Sequence, residues 1–425
     1  MRIVIKNGRL IDPASGTDDS LDLAISGGKI ENIGKNIKAS GDDEVIDADG
    51  SLILPGLVDM HVHFREPGRE DVETILGGSM VAAKSGYTSV VTMPNTNPVI
   101  DNQALVRFII MEAARGPINV FPSANITKGG LGEEISEMGE LIKGGAVAFT
   151  DDGKPVMSSI TMRRALEYSR MFDAPILSHS EDKLLADDGL MNEGINSTKL
   201  GLKGIPREAE EVMISRDILL SRLTRGRLHI CHVSSAGSVE ILRRGKNDGI
   251  RVTCETAPHY FSLTDDEVEE QMSMAKMNPP LRTEADRKNI IEGLRDGTID
   301  VIATDHAPHS PSEKKQEMEY APFGIIGLET AVPLIITELV RKSGFSYMQA
   351  FEKVTCNPAR ILNLDRGALK EGGHADVTIV NPERKIRVDM QFLRSRCKNT
   401  PFLGRELYGS IEYTICNGKI VYRRG

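Results

Sequence analysis

His61 and His63 are separated by one residue, and an extended strand alternates its side chains, so both face the same way and can grip one ion together. Asp151 and Asp152, His179, His232 and Asp305 likewise sit where short apolar runs end. Histidine nitrogen mixed with carboxylate oxygen suits zinc, or another first-row divalent ion, in a hydrolytic site that keeps coordination positions open. Such an ion lowers the pKa of its water to about 7 and draws charge from a carbonyl oxygen, which is what a hydrolytic site needs. Each residue also has an ordinary role to set against this. A lone His-x-His is more often a surface or core pair, Asp151-Asp152-Gly153 reads as a turn, and Asp305 suits a helix N-cap. What favours chemistry is their coincidence at the same ends of successive runs. His229 has strand parity opposite to His232 and is expected to point outward as a structural residue. His259, His306 and His374 are also expected to be non-ligands.

A shared rim of this kind requires a ring of parallel strands. Eight apolar runs, at residues 57–63, 88–93, 118–122, 146–150, 175–179, 228–233, 251–255 and 300–304, alternate with helix-length segments. That is the count for a closed (β/α)8 barrel, whose enzymes build their sites at the C-terminal ends of the strands. Ser346 and Gln349 form a capping-box signal before an amphipathic run. Segments 184–204 and 310–323 run long for connecting loops and are rich in charge and turn formers, as active-site lids often are. Both ends of the chain read differently. Short alternating runs broken by Asn7-Gly8, Gly27-Gly28 and Asn417-Gly418 predict antiparallel strands, too few at either end to bury a core alone. The two ends are expected to meet in one discontinuous β-sandwich domain, residues 1–54 and 366–425, with the barrel at 55–365.

Composition narrows the partners. The chain of 425 residues has a formal net charge of −9 and lacks a basic run, which argues against nucleic acid and leaves a small anion open. Neither a signal peptide nor a membrane span is expected, because Arg2, Lys6 and Arg9 interrupt the first apolar stretch. Five widely spaced cysteines without a CxxC pattern are expected to be free thiols in a reducing cytoplasm.

The run Leu54-Pro55-Gly56-Leu57-Val58-Asp59-Met60-His61-Val62-His63-Phe64-Arg65-Glu66-Pro67-Gly68 resembles the first barrel strand of the amidohydrolase superfamily. Phe64 to Pro67 narrow the resemblance to dihydroorotases of the bacterial class I type. Met93-Pro94-Asn95-Thr96-Asn97-Pro98, Phe149-Thr150-Asp151-Asp152-Gly153, Asn278-Pro279-Pro280-Leu281-Arg282, Thr304-Asp305-His306-Ala307-Pro308-His309 and the stretch from Pro322 to Thr330 match in order.

The resemblance implies that His61, His63 and Asp305 bind one zinc ion and that His179 and His232 bind a second, two ions being favoured over one. An aspartate bridges them. Asp152, 27 residues before His179, is selected over Asp151. Asp305 doubles as proton shuttle. Arg65 pairs with the substrate carboxylate, helped by Asn95 and His309, with His63 also beside the substrate. Asn278 and the backbone at Phe323 and Gly324 read the amide edge of the ring. The implied reaction joins N-carbamoyl-L-aspartate to L-dihydroorotate, in a homodimer able to associate with aspartate transcarbamoylase. Hydantoinases and allantoinases are the alternative, with a carboxylated lysine as bridge. Lys154 is near but lies past Gly153 in the turn. A non-catalytic scaffold subunit is the alternative of another class, and such subunits lose the ligands that are all present here.

Overall fold

The computed structural model describes residues 2–425. Leu57–Val62, Tyr87–Thr92 and Asn119–Pro122 form a parallel three-stranded sheet, and Ile176–Ser178, Leu228–Ile230, Val252–Thr256 and Val301–Ile302 a parallel four-stranded one. The fourth run departs from expectation: no strand spans 146–150. Its backbone nevertheless bonds to both neighbours, Val147 N–H donating to Pro122 and Phe149 N–H to Pro175, with single parallel bridges from Phe149 to Ala124 and Ile176. On the other side His63 N–H donates to the His306 carbonyl at 2.9 Å, beside a parallel bridge between Val62 and His306. Asp59 adds a side-chain tie, accepting from His61 N–H and from both Thr304 N–H and its hydroxyl, so the first run is fastened to the eighth.

The apolar character of the runs follows from burial on both faces. Val90, Val120, Ile176, Ile230 and Ile302 join a large cluster that includes helix residues such as Ile109, Leu166 and Leu242. Their sequence neighbours Val91, Phe121, Leu177, Cys231 and Val301 meet in a second, smaller cluster. Helices separate the strands and start on local caps, as at Thr74, Asn102, Ser158, Ser235 and Thr283. The Ser346–Gln349 capping box is present, at the start of Tyr347–Glu352. The long segments carry structure of their own: Lys183–Ala186 and Ile195–Leu200 are short helices, Met191–Asn192 pairs with Gly204–Ile205, and Pro311–Lys314 is a helical turn.

Residues from both ends share one six-stranded sheet, in which Val377–Arg387 pairs antiparallel with Leu52–Pro55. A four-stranded sheet of Lys29–Gly34, Asp22–Ser26, Ile3–Lys6 and Glu44–Asp47 accompanies it. Ile5, Leu23 and Ile46 from the latter pack with Leu10, Ile53, Val377 and Ile415 from the former. The pairing is not purely antiparallel as expected: Ile3–Lys6 runs parallel to Glu44–Asp47, and Arg9–Asp12 parallel to Leu52–Pro55. Among the described residues no helix is long and apolar enough to cross a membrane. All five cysteines are free, and Cys356 alone is not fully buried.

Candidate metal centre

Three of the side chains singled out stand on backbone that L-residues rarely adopt: Arg65 (φ 53°), His232 (φ 36°) and Asp305 (φ 48°). Each follows the end of a strand, and the left-handed turn re-aims its side chain, breaking the alternation of the strand before it. This corrects the expectation for His229. It does not point outward: it is fully buried, with Nε2 3.2 Å from Glu255 and Nδ1 2.8 Å from the Thr253 hydroxyl. His232 reaches the centre because its φ, not its parity, directs it.

The expected ligands converge. His61 Nε2 lies 3.5 Å from both Asp152 Oδ1 and Asp305 Oδ1, and His63 Nε2 lies 3.1 Å from Asp305 Oδ1 and 3.5 Å from Asp152 Oδ2. On the far side of Asp152, His179 Nδ1 is 3.5 Å and His232 Nε2 3.6 Å from Oδ1, and the two ring nitrogens are 2.9 Å apart. Bonds of about 2.0–2.1 Å to a tetrahedral ion put neighbouring donors about 3.3–3.4 Å apart, so these separations fit metal coordination. His61 Nε2 and Asp152 Oδ1 are buried without a hydrogen-bond partner, a costly state for polar atoms in a dry site.

The electrostatics are those of an acidic and basic set pressed together. Burial alone would raise the Asp152 carboxyl, but the charge of His61 and hydrogen bonds from His179, His232 and His61 hold it well below the usual range. Burial likewise opposes, and contact with His63, His61 and His232 outweighs, so that Asp305 is also lowered. His179 is pushed up to about 9 by Asp152 and Glu181 against the penalty of burial. Asp151, by contrast, is occupied elsewhere: it accepts from Asn125, from Thr127 N–H and from the Thr127 hydroxyl. Lys154 is exposed in the turn after Gly153, its N–H closing onto the Asp151 carbonyl.

A cavity of about 400 Å³ opens over this set, lined by His63, Arg65, Asn95, Asp152, His179, His232, Asn278, Asp305, His309, Phe323 and Gly324 among others. Arg65 Nε donates to the Pro308 carbonyl at 3.2 Å, and Nη2 lies 3.2 Å from His309 Nε2. Neither Glu66 nor Asp71 takes it, since Glu66 accepts from Ile75 N–H and Asp71 from Arg69. Burial pushes the guanidinium down to about 10, still charged at neutral pH, and pushes His309 down to about 3, so that ring is neutral. Its Nε2 stands 2.8 Å from the Phe323 carbonyl and therefore carries the proton.

Two amides are oriented by their partners. Asn95 Oδ1 lies 3.0 Å from His63 Nδ1 and accepts from it when Nε2 faces the carboxylates, which leaves the Asn95 NH2 as a donor. Asn278 NH2 donates to Glu181 at 3.2 Å, leaving its Oδ1 as an acceptor. Glu181 and Lys183, which pair with each other, line the cavity and were not foreseen. The signal was present in His179-Ser180-Glu181, a carboxylate two residues after an expected ligand, and Glu181 Oε2 lies 3.5 Å from His179 Nε2.

A family model described as Dihydro-orotase-like matches residues 50–238. The curated dihydroorotase of Geotalea daltonii is 51% identical over 425 residues, all of both chains, and that of Acetivibrio thermocellus is 51% identical over 99% of each. The chain belongs to the dihydroorotase family. Among solved structures, an L-hydantoinase (dihydropyrimidinase) from Arthrobacter aurescens superimposes with a TM-score of 0.90 at 25% identity, covering all of this chain and 96% of that one. A D-hydantoinase gives 0.88 at 22% identity, covering all of this chain and 95% of that one, and at that distance the likeness is one of fold. This dihydroorotase-family chain thus shares an α/β architecture with barrel amidohydrolases while its closely similar sequences carry the dihydroorotase name.

Proposed function

We propose that the chain catalyses the reversible conversion of N-carbamoyl-L-aspartate to L-dihydroorotate and water, the ring-closing step of de novo pyrimidine (UMP) biosynthesis. The observation that carries this reading is a single cavity lined both by the His/Asp cluster and by Arg65, Asn95 and His309, a constellation for a carboxylate. The two parallel sheets, joined through Phe149 and through Val62 and His306, are read as one closed (β/α)8 barrel spanning 55–365, and the terminal sheets as a β-sandwich of 1–54 and 366–425.

His61, His63 and Asp305 would hold one zinc ion and His179 and His232 a second, with Asp152 shared. The donor separations near a tetrahedral edge and the orphaned buried atoms support this set. When bound, zinc would lower the pKa of a water and polarise the scissile carbonyl. Asp305 takes the proton of the attacking water and passes it to the leaving ring nitrogen in hydrolysis, with the reverse path in cyclisation. His61 and His63 both approach Oδ1, so Oδ2 is the atom assigned to carry the proton. Arg65 holds the substrate carboxylate, the Asn95 NH2 donates to it, and His309 offers its Nε2–H in place of the Phe323 carbonyl. The Asn278 Oδ1 accepts from a ring N–H, and the backbone at Phe323 and Gly324 completes that edge. A homodimer in the cytoplasm, able to dock on aspartate transcarbamoylase, belongs to the same reading, and light scattering with and without that enzyme checks it.

Metal analysis together with rates on dihydroorotate, hydantoin and allantoin tests the proposal. One to two zinc ions per chain and preference for dihydroorotate are expected. Activity should vanish on chelation and return with Zn²⁺ or Co²⁺. Full activity without metal, or preference for hydantoin or allantoin, would refute it.

A further inference from the structure

Behind the ligand cluster, on the side away from the cavity, runs a buried chain of polar side chains that the reaction above does not use. His61 Nδ1 lies 2.7 Å from Glu255 Oε1, Glu255 Oε2 lies 3.2 Å from His229 Nε2, and His229 Nδ1 lies 2.8 Å from the Thr253 hydroxyl. His61 and His229 are wholly buried and Glu255 is 1% exposed. The members come from three elements. Glu255 and Thr253 are two apart on Val252–Thr256 and so share a face, His229 pairs in register with Thr253 from the adjacent strand, and His61 enters from Leu57–Val62.

We propose that Glu255 is a positioning residue, braced by His229, that fixes the tautomer and tilt of His61 and so sets how tightly the centre holds its metal. An ionised carboxylate only accepts, so each of its oxygens requires an N–H from the histidine facing it. His61 must therefore carry a proton on Nδ1, so Nε2, facing Asp152 and Asp305, is the nitrogen that can give up its proton and coordinate. Nε2 lies 3.5 Å from both Asp152 and Asp305, where either its own proton or a metal ion that displaces that proton is held among the carboxylates. Glu255 thus selects Nε2, not Nδ1, as the nitrogen that coordinates. Both of its oxygens are taken by histidines.

A purely stabilising ion pair is the weaker account. Two buried charges give little net stability over apolar residues of the same volume. Nor would such a role need each partner aimed by a further one, as Glu255 is by His229 and His229 by Thr253. Carboxylates behind metal-binding imidazoles fix the ring and raise its donor strength, and losing one costs about 10–100-fold in metal affinity.

The inference rests on the metal centre of the proposed function, and its test reads metal and not turnover. The folded full-length chain is loaded with Zn²⁺ and titrated against a chromophoric chelator, as wild type, Glu255→Gln and His229→Gln. Glutamine fills the same space but presents an NH2 to one of the two histidines, so one ring must turn or change tautomer, and in either arrangement His61 loses the carboxylate that strengthens it as a donor. Glu255→Gln should weaken zinc about 10–100-fold. It should also shift the visible absorption of the Co²⁺-loaded protein, which follows the strength of the imidazole donor. His229→Gln, one bond further away, should move both readouts the same way by less, and it carries the test if Glu255→Gln does not fold. Zinc affinity and cobalt spectrum unchanged in the variants, with wild type binding normally, would overturn the positioning role alone. Wild type that binds no zinc would overturn the metal centre and this inference with it.

Discussion

Replacing Arg65 with methionine separates recognition of the substrate from the chemistry. Methionine keeps the unbranched stem of the side chain as far as Nε without its charge, and the left-handed backbone at φ 53° costs any L-side chain much the same, so folding should be spared. Arg65 Nε is anchored on Pro308, leaving the Nη groups to meet a carboxylate over the cavity. A charge-assisted hydrogen bond contributes about 1.5–3 kcal/mol, so a two-pronged contact is worth about 3–6 kcal/mol when fully dry. Arg65 is only half-buried, and solvent screening brings this to about 2–4 kcal/mol. At about 1.4 kcal/mol per factor of ten, kcat/KM for dihydroorotate should fall roughly 30- to 1000-fold. The ultraviolet loss of the ring reads hydrolysis directly, and an uncharged cyclic imide serves as the comparison substrate. Its low rate should hardly change, because it has no carboxylate to lose. Equal fractional losses on both substrates would mean that Arg65 merely props the rim through Pro308, and the assignment of the anion site would fail.

Asp152→Ala should lose zinc and activity together, whereas Asp151→Ala should keep its metal while losing about 1–3 kcal/mol of stability through the donors of Asn125 and Thr127 left unpaired. Lys154→Ala should change neither; activity that depends on bicarbonate and disappears in Lys154→Ala would instead reveal a carboxylated lysine. Asp305→Asn should retain much of its metal, since an amide oxygen still coordinates, while turnover falls by about 10²–10⁴ in both directions; near-normal rates would move the shuttle elsewhere. His259 is buried, with its pKa pushed down to about 4 by desolvation, so it is neutral when folded and gains a proton near 6.5 when unfolded. Its contribution is therefore fully present above about pH 6.5 and is lost as pH falls toward 4, on the order of 3 kcal/mol. Denaturant midpoints of metal-free wild type and His259→Phe at pH 7 and pH 4.5 check this, and an equal drop in both would count against it.

Local signals made the ligands legible and hid what stands behind them. His61 and His63 announce themselves because alternation is a rule of neighbouring residues, whereas the choice of Asp152 over Asp151 rests on the resemblance; the structure turns Asp152 to the centre and Asp151 to Asn125 and Thr127. The rule fails where the backbone leaves the strand. Parity made His229 an outward residue, yet the left-handed turn at His232 lets both histidines of that run serve the inside. The fourth run read as a strand from its apolar residues, but strand geometry also needs a continuous ladder, and here each side carries a single bridge, from Phe149 to Ala124 and to Ile176. Glu255 could not be paired with His61 from the sequence at all, because 194 residues separate them and a glutamate in a buried run carries no mark of its partner. Ligands lie at strand ends, where spacing is local. Their supports lie across the ring, where only the closed set of strands brings them together, so the residues that tune this centre are the ones that the sequence conceals most thoroughly.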